Sequence, residues 1–203
     1  MVAYIIFGVS YAFAAAVQPG PFQTFIISQT LKNGWKRTLS AAFAPVLSDG
    51  PIIVLVLFIL TNVPEWFLQV LQICGGLLLL YLAFKSYQAF REYDAGKVQV
   101  DDKSDKTLLK AILVNAINPA PYIGWSLIMG PTFLKGYNVA PVNGISLIIS
   151  FYVILVLSQM GIILLFGLAR NLGPKVTHIT LAIASVALAG FGIYQLWRGI
   201  YSY

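Results

Sequence analysis

The sequence has a single cysteine, Cys74, and few charged residues. One cysteine excludes an intrachain disulfide and a dithiol centre, and its position within an apolar run favours a small packing residue. Charged residues make up only 10% of the 203 residues, whereas hydrophobic residues make up 59%, which excludes an ordinary soluble domain. The chain also lacks a Walker loop, a zinc motif and a nucleophile elbow, so we expect no enzyme activity, no metal and no cofactor.

Long apolar stretches fill most of the chain. About 20 helical residues cross the roughly 30 Å hydrocarbon core of a bilayer. Six stretches come close to that length or exceed it, so the sequence predicts an all-α integral membrane protein with six transmembrane helices. The first stretch has no basic n-region and no small-residue cleavage site, and we expect it to remain as a span. The stretches are Met1–Leu31, Thr38–Asn62, Trp66–Phe84, Ala111–Leu134, Gly136–Ala169 and Ile179–Trp197.

Basic residues lie between the predicted spans and form no cluster interleaved with aromatics, so the net charge of +6 does not indicate a nucleic-acid partner. If the N-terminus is outside, 11 of the 13 Lys and Arg residues fall in inner loops, and only Lys135 and Arg198 remain outside. The positive-inside rule then predicts a multi-pass plasma-membrane protein with both termini outside.

One polar stretch, residues 91–107, divides the chain into halves of nearly equal length. Its mixed charges predict a solvated cytoplasmic linker. Residues 1–90 and 108–203 then hold three spans each, and the odd number makes the second half enter the membrane in the opposite sense. The sequence therefore predicts two inverted three-helix repeats.

Proline-containing segments interrupt the first and fourth predicted spans, Gln18-Pro19-Gly20-Pro21 and Asn118-Pro119-Ala120-Pro121. Proline removes a backbone donor and leaves polar groups that hydrocarbon cannot satisfy. Such backbone is tolerated where it lines a cavity, and paired breaks in two halves point to a transporter's binding site. A purely structural kink is the alternative. Both breaks lie roughly 15 Å from the cytoplasmic edge, counted along the helices, which is near the midplane.

The breaks offer hydrogen-bonding groups of both kinds. We expect half-helices to restart at Pro21 and Pro121, with backbone N–H groups available for a carboxylate. Nearby amides and freed carbonyls would receive an ammonium or a hydroxyl. The predicted substrate-binding residues are Gln18, Pro19, Gly20, Pro21, Gln23, Asn115, Asn118, Pro119 and Pro121.

Asp49 is the only acidic residue inside a predicted span. A charge at that depth is costly, which favours a function: binding a substrate amine or carrying a coupling ion, with a proton as the first candidate. Alternatively, Ser48-Asp49-Gly50-Pro51 is typical of a helix N-cap, because Pro45 and Pro51 both disturb this span. The other polar residues of the spans are assigned to packing between helices, among them Gln72, Asn143, Ser158, Gln159 and Gln195.

At these residues the sequence resembles the lysine exporter (LysE) superfamily, whose amino-acid exporters carry a Pro-Gly-Pro in the first span and an Asn-Pro in the second half. Pro19-Gly20-Pro21 and Asn118-Pro119 are the most specific matches. The match continues at Gly34, Asp49, Gly75-Gly76 and Tyr81-Leu82, so that it covers essentially the whole chain. The resemblance implies a six-span exporter of amino acids or related metabolites that is driven by an ion gradient.

The leading hypothesis is therefore a secondary exporter of such metabolites, coupled to an ion gradient, that alternates access around the two breaks. A non-transporting membrane scaffold or assembly factor with the same fold is the competing hypothesis, and a membrane enzyme ranks third. The expected partners are a small-molecule substrate and the lipid bilayer, and a homodimer is left open.

Overall fold

The computed structural model describes residues 1–18, 20–56, 65–91, 106–170 and 174–201. Regular structure in these ranges is helical, and no strand is present in them. The α-helices of the described ranges are α1 Val2–Val17, α2 Pro21–Asn33, α3 Trp35–Thr38, α4 Ala44–Val54, α5 Glu65–Arg91, α6 Lys106–Ala116, α7 Pro119–Gly124, α8 Gly130–Val139, α9 Pro141–Arg170 and α10 Pro174–Tyr201. A 3₁₀ turn, Leu39–Phe43, precedes α4, and a π-helical turn, Trp125–Met129, joins α7 to α8.

Three helices, α5, α9 and α10, are long and apolar enough to cross a membrane alone. The helices on either side of each proline-containing segment pass the same test together, as pairs bent by 63° and 52°. By length and composition, the described residues thus contain three candidate spans, or five if each bent pair crosses once. The prediction of an all-helical membrane protein is confirmed, and both predicted interruptions are present.

The predicted second span, residues 38–62, is described only as far as residue 56, and residues 92–105 of the predicted linker also lie outside the described ranges. The described part of the predicted second span is not one straight helix. It starts with the last residue of α3, and the 3₁₀ turn follows. Gly34, with φ of 85°, joins α2 to α3 in a left-handed conformation that favours glycine. Pro45 occupies the first turn of α4, where a missing N–H costs nothing.

Helix α5 packs most extensively against α10, α1 against α9, and α4 against α6. Helices α5 and α10 approach each other closely at Gly76 and Gly192. A methyl group added to Gly76 would lie 2.9 Å from the carbonyl oxygen of Gly192, and one added to Gly192 would lie 3.1 Å from that of Gly76. Glycine at both positions therefore lets the two backbones meet, as is common between membrane helices.

The outward surface of the described helices is apolar. Leu77, Leu165 and Val186 each expose more than half of their side chains, as expected for helices that face lipid. Cys74 is also exposed, on α5, so its assignment to internal packing is wrong. Two buried clusters fill the interior, one around Phe25 and Ile26 and the other around Trp125, Leu147 and their neighbours.

Candidate functional site

The first break lies between α1, which ends at Val17, and α2, which begins at Pro21 as predicted. Gly20 precedes α2 in an extended conformation. The side-chain amide of Gln23 reaches back across the break, where its Nε2 donates to the carbonyl oxygens of Ala15 at 3.3 Å and Ala16 at 3.1 Å. Gln23 therefore satisfies two carbonyls at the end of α1 that have lost regular helical partners.

The second break lies between α6, which ends at Ala116, and α7, which begins at Pro119. The predicted restart at Pro121 is wrong by two residues, because the Asn118 side chain caps the helix: its Oδ1 accepts from the backbone N–H of Ala120 at 3.1 Å. The Tyr122 hydroxyl donates to the carbonyl oxygen of Ala116 at 2.8 Å. A side chain from the second half-helix thus binds the first half-helix at both breaks.

These contacts correct the expected chemistry of the breaks. The carbonyls of Ala15, Ala16 and Ala116 each accept one hydrogen bond from a side chain, which leaves one lone pair of each oxygen for a further donor. At the start of α2 the helix itself provides no acceptor for the N–H groups of Phe22 and Gln23. Of the two breaks, only the first keeps the backbone N–H groups that the sequence predicted to bind a carboxylate.

Asp49 joins three helices through hydrogen bonds. The Asn115 side chain on α6 donates from its Nδ2 to Asp49 Oδ1 at 2.8 Å and to Ser48 Oγ at 2.7 Å. The Tyr152 hydroxyl on α9 donates to Asp49 Oδ2 at 3.0 Å. Asp49 is only 4% exposed, and these partners are neutral. A buried carboxylate held by neutral donors alone has a strong demand for a proton or a bound cation.

The alternative that Asp49 caps a helix is wrong. Helix α4 runs without interruption from Ala44 to Val54, with Pro51 inside it, and its N-cap residue is Phe43. The Ser48 hydroxyl donates backwards to the carbonyl oxygen of Ala44 at 2.9 Å. Asp49 therefore lies in the middle of a helix, and its carboxylate oxygens face α6 and α9.

A cavity of about 420 Å³ lies between the two breaks. Its volume falls in the range of small-molecule sites, about 300–1,000 Å³. Asp49 lines it, together with every predicted substrate-binding residue except Pro19, which lies outside the described ranges. Those lining residues are Gln18, Gly20, Pro21, Gln23, Asn115, Asn118, Pro119 and Pro121.

Several residues of this site were not predicted. Tyr152, the hydroxyl partner of Asp49, is one of many aromatics in apolar spans and has no distinguishing signal in the sequence. Gln159 and Gln195 were assigned to packing, yet both line the cavity. Arg198 lines it too, although the sequence suggested only a position near the outer end of the last span. Within the described ranges, no three His, Cys, Asp or Glu side chains are grouped so that they could hold a metal ion.

Comparison with protein families gives one result that covers nearly the whole chain. The family model described as LysE type translocator matches residues 13–199. The chain belongs to this family. As a LysE type translocator it is a multi-pass membrane transporter. Both breaks lie within the matched residues, and so do the residues that line the cavity, apart from Tyr11. No curated protein and no solved structure matched the chain.

Proposed function

We propose that this LysE type translocator exports amino acids or related small metabolites from the cell, coupled to a proton gradient, by alternating access to the cavity between its helix breaks. The observation that carries the proposal is Asp49, a buried carboxylate that lines this cavity and has only neutral hydrogen-bond partners among the described residues. Its proposed role is to hold the coupling proton. The predicted residues around the breaks, Pro19 included, are the proposed substrate site.

Protonation of Asp49 would change its hydrogen bonds in a way that reaches another helix. The ionised carboxylate accepts from Asn115 and from Tyr152. A protonated carboxyl group has one O–H that must donate, and an amide N–H cannot accept it, whereas a hydroxyl can. A proton on Oδ2 would therefore reverse the hydrogen bond to Tyr152. Proton binding on α4 is thus linked to the position of α9, which is the kind of coupling that an exchanger needs.

The proposed architecture is six spans in two inverted repeats, residues 1–90 and 108–203, joined by a cytoplasmic linker at 91–107. Its support is the pattern of helix packing. In such a repeat the first span corresponds to the fourth and the second to the fifth. The contact of α1 with α9 then corresponds to that of α6 with α4, and both pairs pack together. Helices α5 and α10, the third and sixth spans, pack against each other, as expected next to a two-fold axis.

The proposed orientation places both termini outside the plasma membrane. Single cysteines at Glu65 and Tyr137 in a Cys74→Ala background are expected to react with an impermeant maleimide added to whole cells. A cysteine at Lys103 is expected to react only after the membrane is opened. Labelling of Lys103→Cys in intact cells would show that the chain has the opposite orientation.

The transport proposal is tested with purified protein in proteoliposomes. Counterflow of radiolabelled L-leucine, L-threonine, L-lysine and L-glutamate measures exchange without a driving force. A proton exchanger that exports substrate moves it toward the acidic side, so at least one amino acid is expected to accumulate in vesicles with an acidic lumen. A protonophore should abolish that accumulation and leave counterflow intact. Absence of counterflow for all four, with a correctly oriented and folded protein, would contradict amino-acid transport and favour a scaffold.

A further inference from the structure

Helix α2, the second half of the first span, is enclosed by other helices. It packs against α5, α6, α9 and α10, and none of its 13 residues is exposed. Phe25 and Ile26 lie near its middle and are both 0% exposed. They belong to a buried cluster that also contains Leu82 of α5, Ala111 of α6 and Leu188 of α10. The half of the molecule in which α2 lies, the cytoplasmic half in the proposed orientation, is therefore closed.

The cavity extends from the breaks toward the opposite side. On α1 it is lined by Tyr11 and Ala15, which precede the first break, and on α10 by Tyr194 and Arg198, near the end of that helix. On α2 no residue beyond Gln23 lines it. In the proposed orientation these parts of α1 and α10 are the outer halves of their spans. The cavity is therefore placed for access from outside the cell.

The segment of the second half that corresponds to α2, residues 119–133, is packed differently. It contains α7, the π-helical turn and the start of α8. Among the described residues, neither α7 nor α8 packs against α10 as α2 does. The cavity lies between them instead, because Ala120 and Ile123 of α7 line it together with Tyr194 and Arg198 of α10. Exposed residues of this segment are Ala120, Ile123, Leu127, Ile128 and Pro131.

The inverted repeat relates these two arrangements. The first span corresponds to the fourth and the third to the sixth, so α2 is to α5 what residues 119–133 are to α10. Helices α2 and α5 are in contact, and the Ser28 and Ser86 hydroxyls form a hydrogen bond of 2.9 Å between them. The two serines are 1% and 3% exposed. The same interface is thus closed in the first repeat and separated by the cavity in the second.

The contact between Ser28 and Ser86 can break without leaving a hydroxyl unpaired. A serine or threonine in a helix can donate to the carbonyl oxygen four residues earlier in the same helix. Thr30, also on α2, does so: its hydroxyl donates to the carbonyl oxygen of Ile26 at 2.8 Å. Helix α2 is also bounded by the first break at one end and by Gly34, with φ of 85°, at the other. It can therefore move as a unit, since helix ends are where such motions are absorbed.

We propose that this structure is the outward-open state of the transporter, and that α2 is its cytoplasmic gate, with the Ser28–Ser86 hydrogen bond as a contact of the closed gate. The inference rests on the proposed transport function and orientation, and it adds which element moves. In the opposite state α2 separates from α5, and residues 119–133 close on α10. Each repeat then adopts the arrangement that the other has here, so that the cavity opens to the cytoplasm.

A disulfide between α2 and α5 tests the gate. Ser28→Cys and Ser86→Cys are combined in a Cys74→Ala background and oxidised with copper phenanthroline. The two hydroxyl oxygens are 2.9 Å apart, so the sulfurs that replace them are within bonding reach. Counterflow is expected to fall to the level of empty vesicles after oxidation, because α2 can no longer leave α5, and to return after reduction with dithiothreitol.

The matched control pairs Ser28→Cys with Gln88→Cys. Gln88 is also on α5, but its side chain accepts from Lys85 Nζ at 3.1 Å on the exposed side of the helix. This pair should form no disulfide and should keep counterflow under oxidation, as should each single cysteine variant. Cysteine differs from serine by one atom, and the reduced double variant should have the size-exclusion profile and melting temperature of the wild type.

Labelling of the cavity shows which side is open and needs no substrate. Ala120→Cys adds a thiol to the part of α7 that lines the cavity. In the protein with Ser28 and Ser86 cross-linked as cysteines, this thiol is expected to react with an impermeant maleimide added to whole cells. It should be protected when the same reagent is added to inverted membrane vesicles.

Three results would overturn the inference. Absence of the disulfide in oxidised membranes would show that Ser28 and Ser86 are not in contact there. Exchange at the wild-type rate by the cross-linked protein would show that α2 does not move away from α5. Labelling of Ala120→Cys in inverted vesicles alone would show that the cross-linked state is open to the cytoplasm. Failure of the wild type to exchange any amino acid would instead contradict the proposed function, while the labelling would still decide which side is open.

Discussion

Asp49→Asn is expected to abolish accumulation driven by a proton gradient while counterflow of the same substrate continues. Asparagine has the same shape, and its two polar atoms can keep both contacts of Asp49. Its carbonyl oxygen accepts from Asn115, and its N–H₂ group donates to the Tyr152 hydroxyl. The substitution removes a buried charge and preserves the number of hydrogen bonds, so the free energy of unfolding should change by no more than about 1 kcal/mol. Asparagine cannot carry the proton, and only the coupled step should be lost.

The pH dependence of transport provides the second measurement. Counterflow by the wild-type protein should vary with pH, because protonation of Asp49 changes the fraction of protein that is in the substrate-binding form, whereas counterflow by Asp49→Asn should not. Glu65→Gln is the matched control, since Glu65 is exposed at the start of α5 and outside the cavity. If Asp49→Asn still accumulates substrate on the acidic side, coupling belongs to another residue or another ion. Loss of counterflow together with accumulation would assign Asp49 to substrate binding.

The breaks could be predicted from sequence because their cause is local. A proline lacks an N–H wherever it occurs, so Pro21 and Pro119 mark helix starts without knowledge of their neighbours. The error at the second break has the same local origin. Asn118 is a favourable N-cap residue directly before Pro119, and giving that signal more weight than the symmetry with Pro21 would have placed the start of α7 correctly.

The partners of Asp49 could not be predicted in this way. Tyr152 is 103 residues from Asp49 in the sequence, and Asn115 is 66 residues away. Their contacts depend on how α4, α6 and α9 pack, and no local pattern shows which side of a helix a lone tyrosine faces. The same limit applies to the contact of the Gln23 side chain with the end of α1. Only the geometry shows that its Nε2 is occupied by the carbonyls of Ala15 and Ala16.

Gln159 and Gln195 show a further limit of prediction from the sequence. A glutamine in an apolar span usually bonds to a neighbouring helix, which is why packing was the expectation. What distinguishes these two is a buried carbonyl oxygen without a partner in the described ranges, beside a cavity. That property belongs to the packed molecule and has no counterpart in the order of the residues.

Replacing Pro19 and Pro21 together with alanine is expected to abolish counterflow while membrane insertion continues. Alanine restores the backbone donors that proline lacks, so α1 could continue into α2 with regular hydrogen bonds. The carbonyls of Ala15 and Ala16 would then bond to the backbone, and the Gln23 amide would lose its partners. A straightened helix cannot keep the 63° bend between α1 and α2, and that bend positions Gly20, Pro21 and Gln23 around the cavity.

The matched control for this prediction is Pro141→Ala. Pro141 is the first residue of α9, where its missing N–H has no helical partner to lose, and it does not line the cavity. This variant should therefore transport at the wild-type rate. The double variant should show normal amounts of protein in the membrane, a melting temperature at or above that of the wild type, and no exchange. Exchange at the wild-type rate would show that the cavity does not depend on the break. Loss of folded protein from the double variant alone would show that the two prolines serve the fold, as the structural-kink alternative requires.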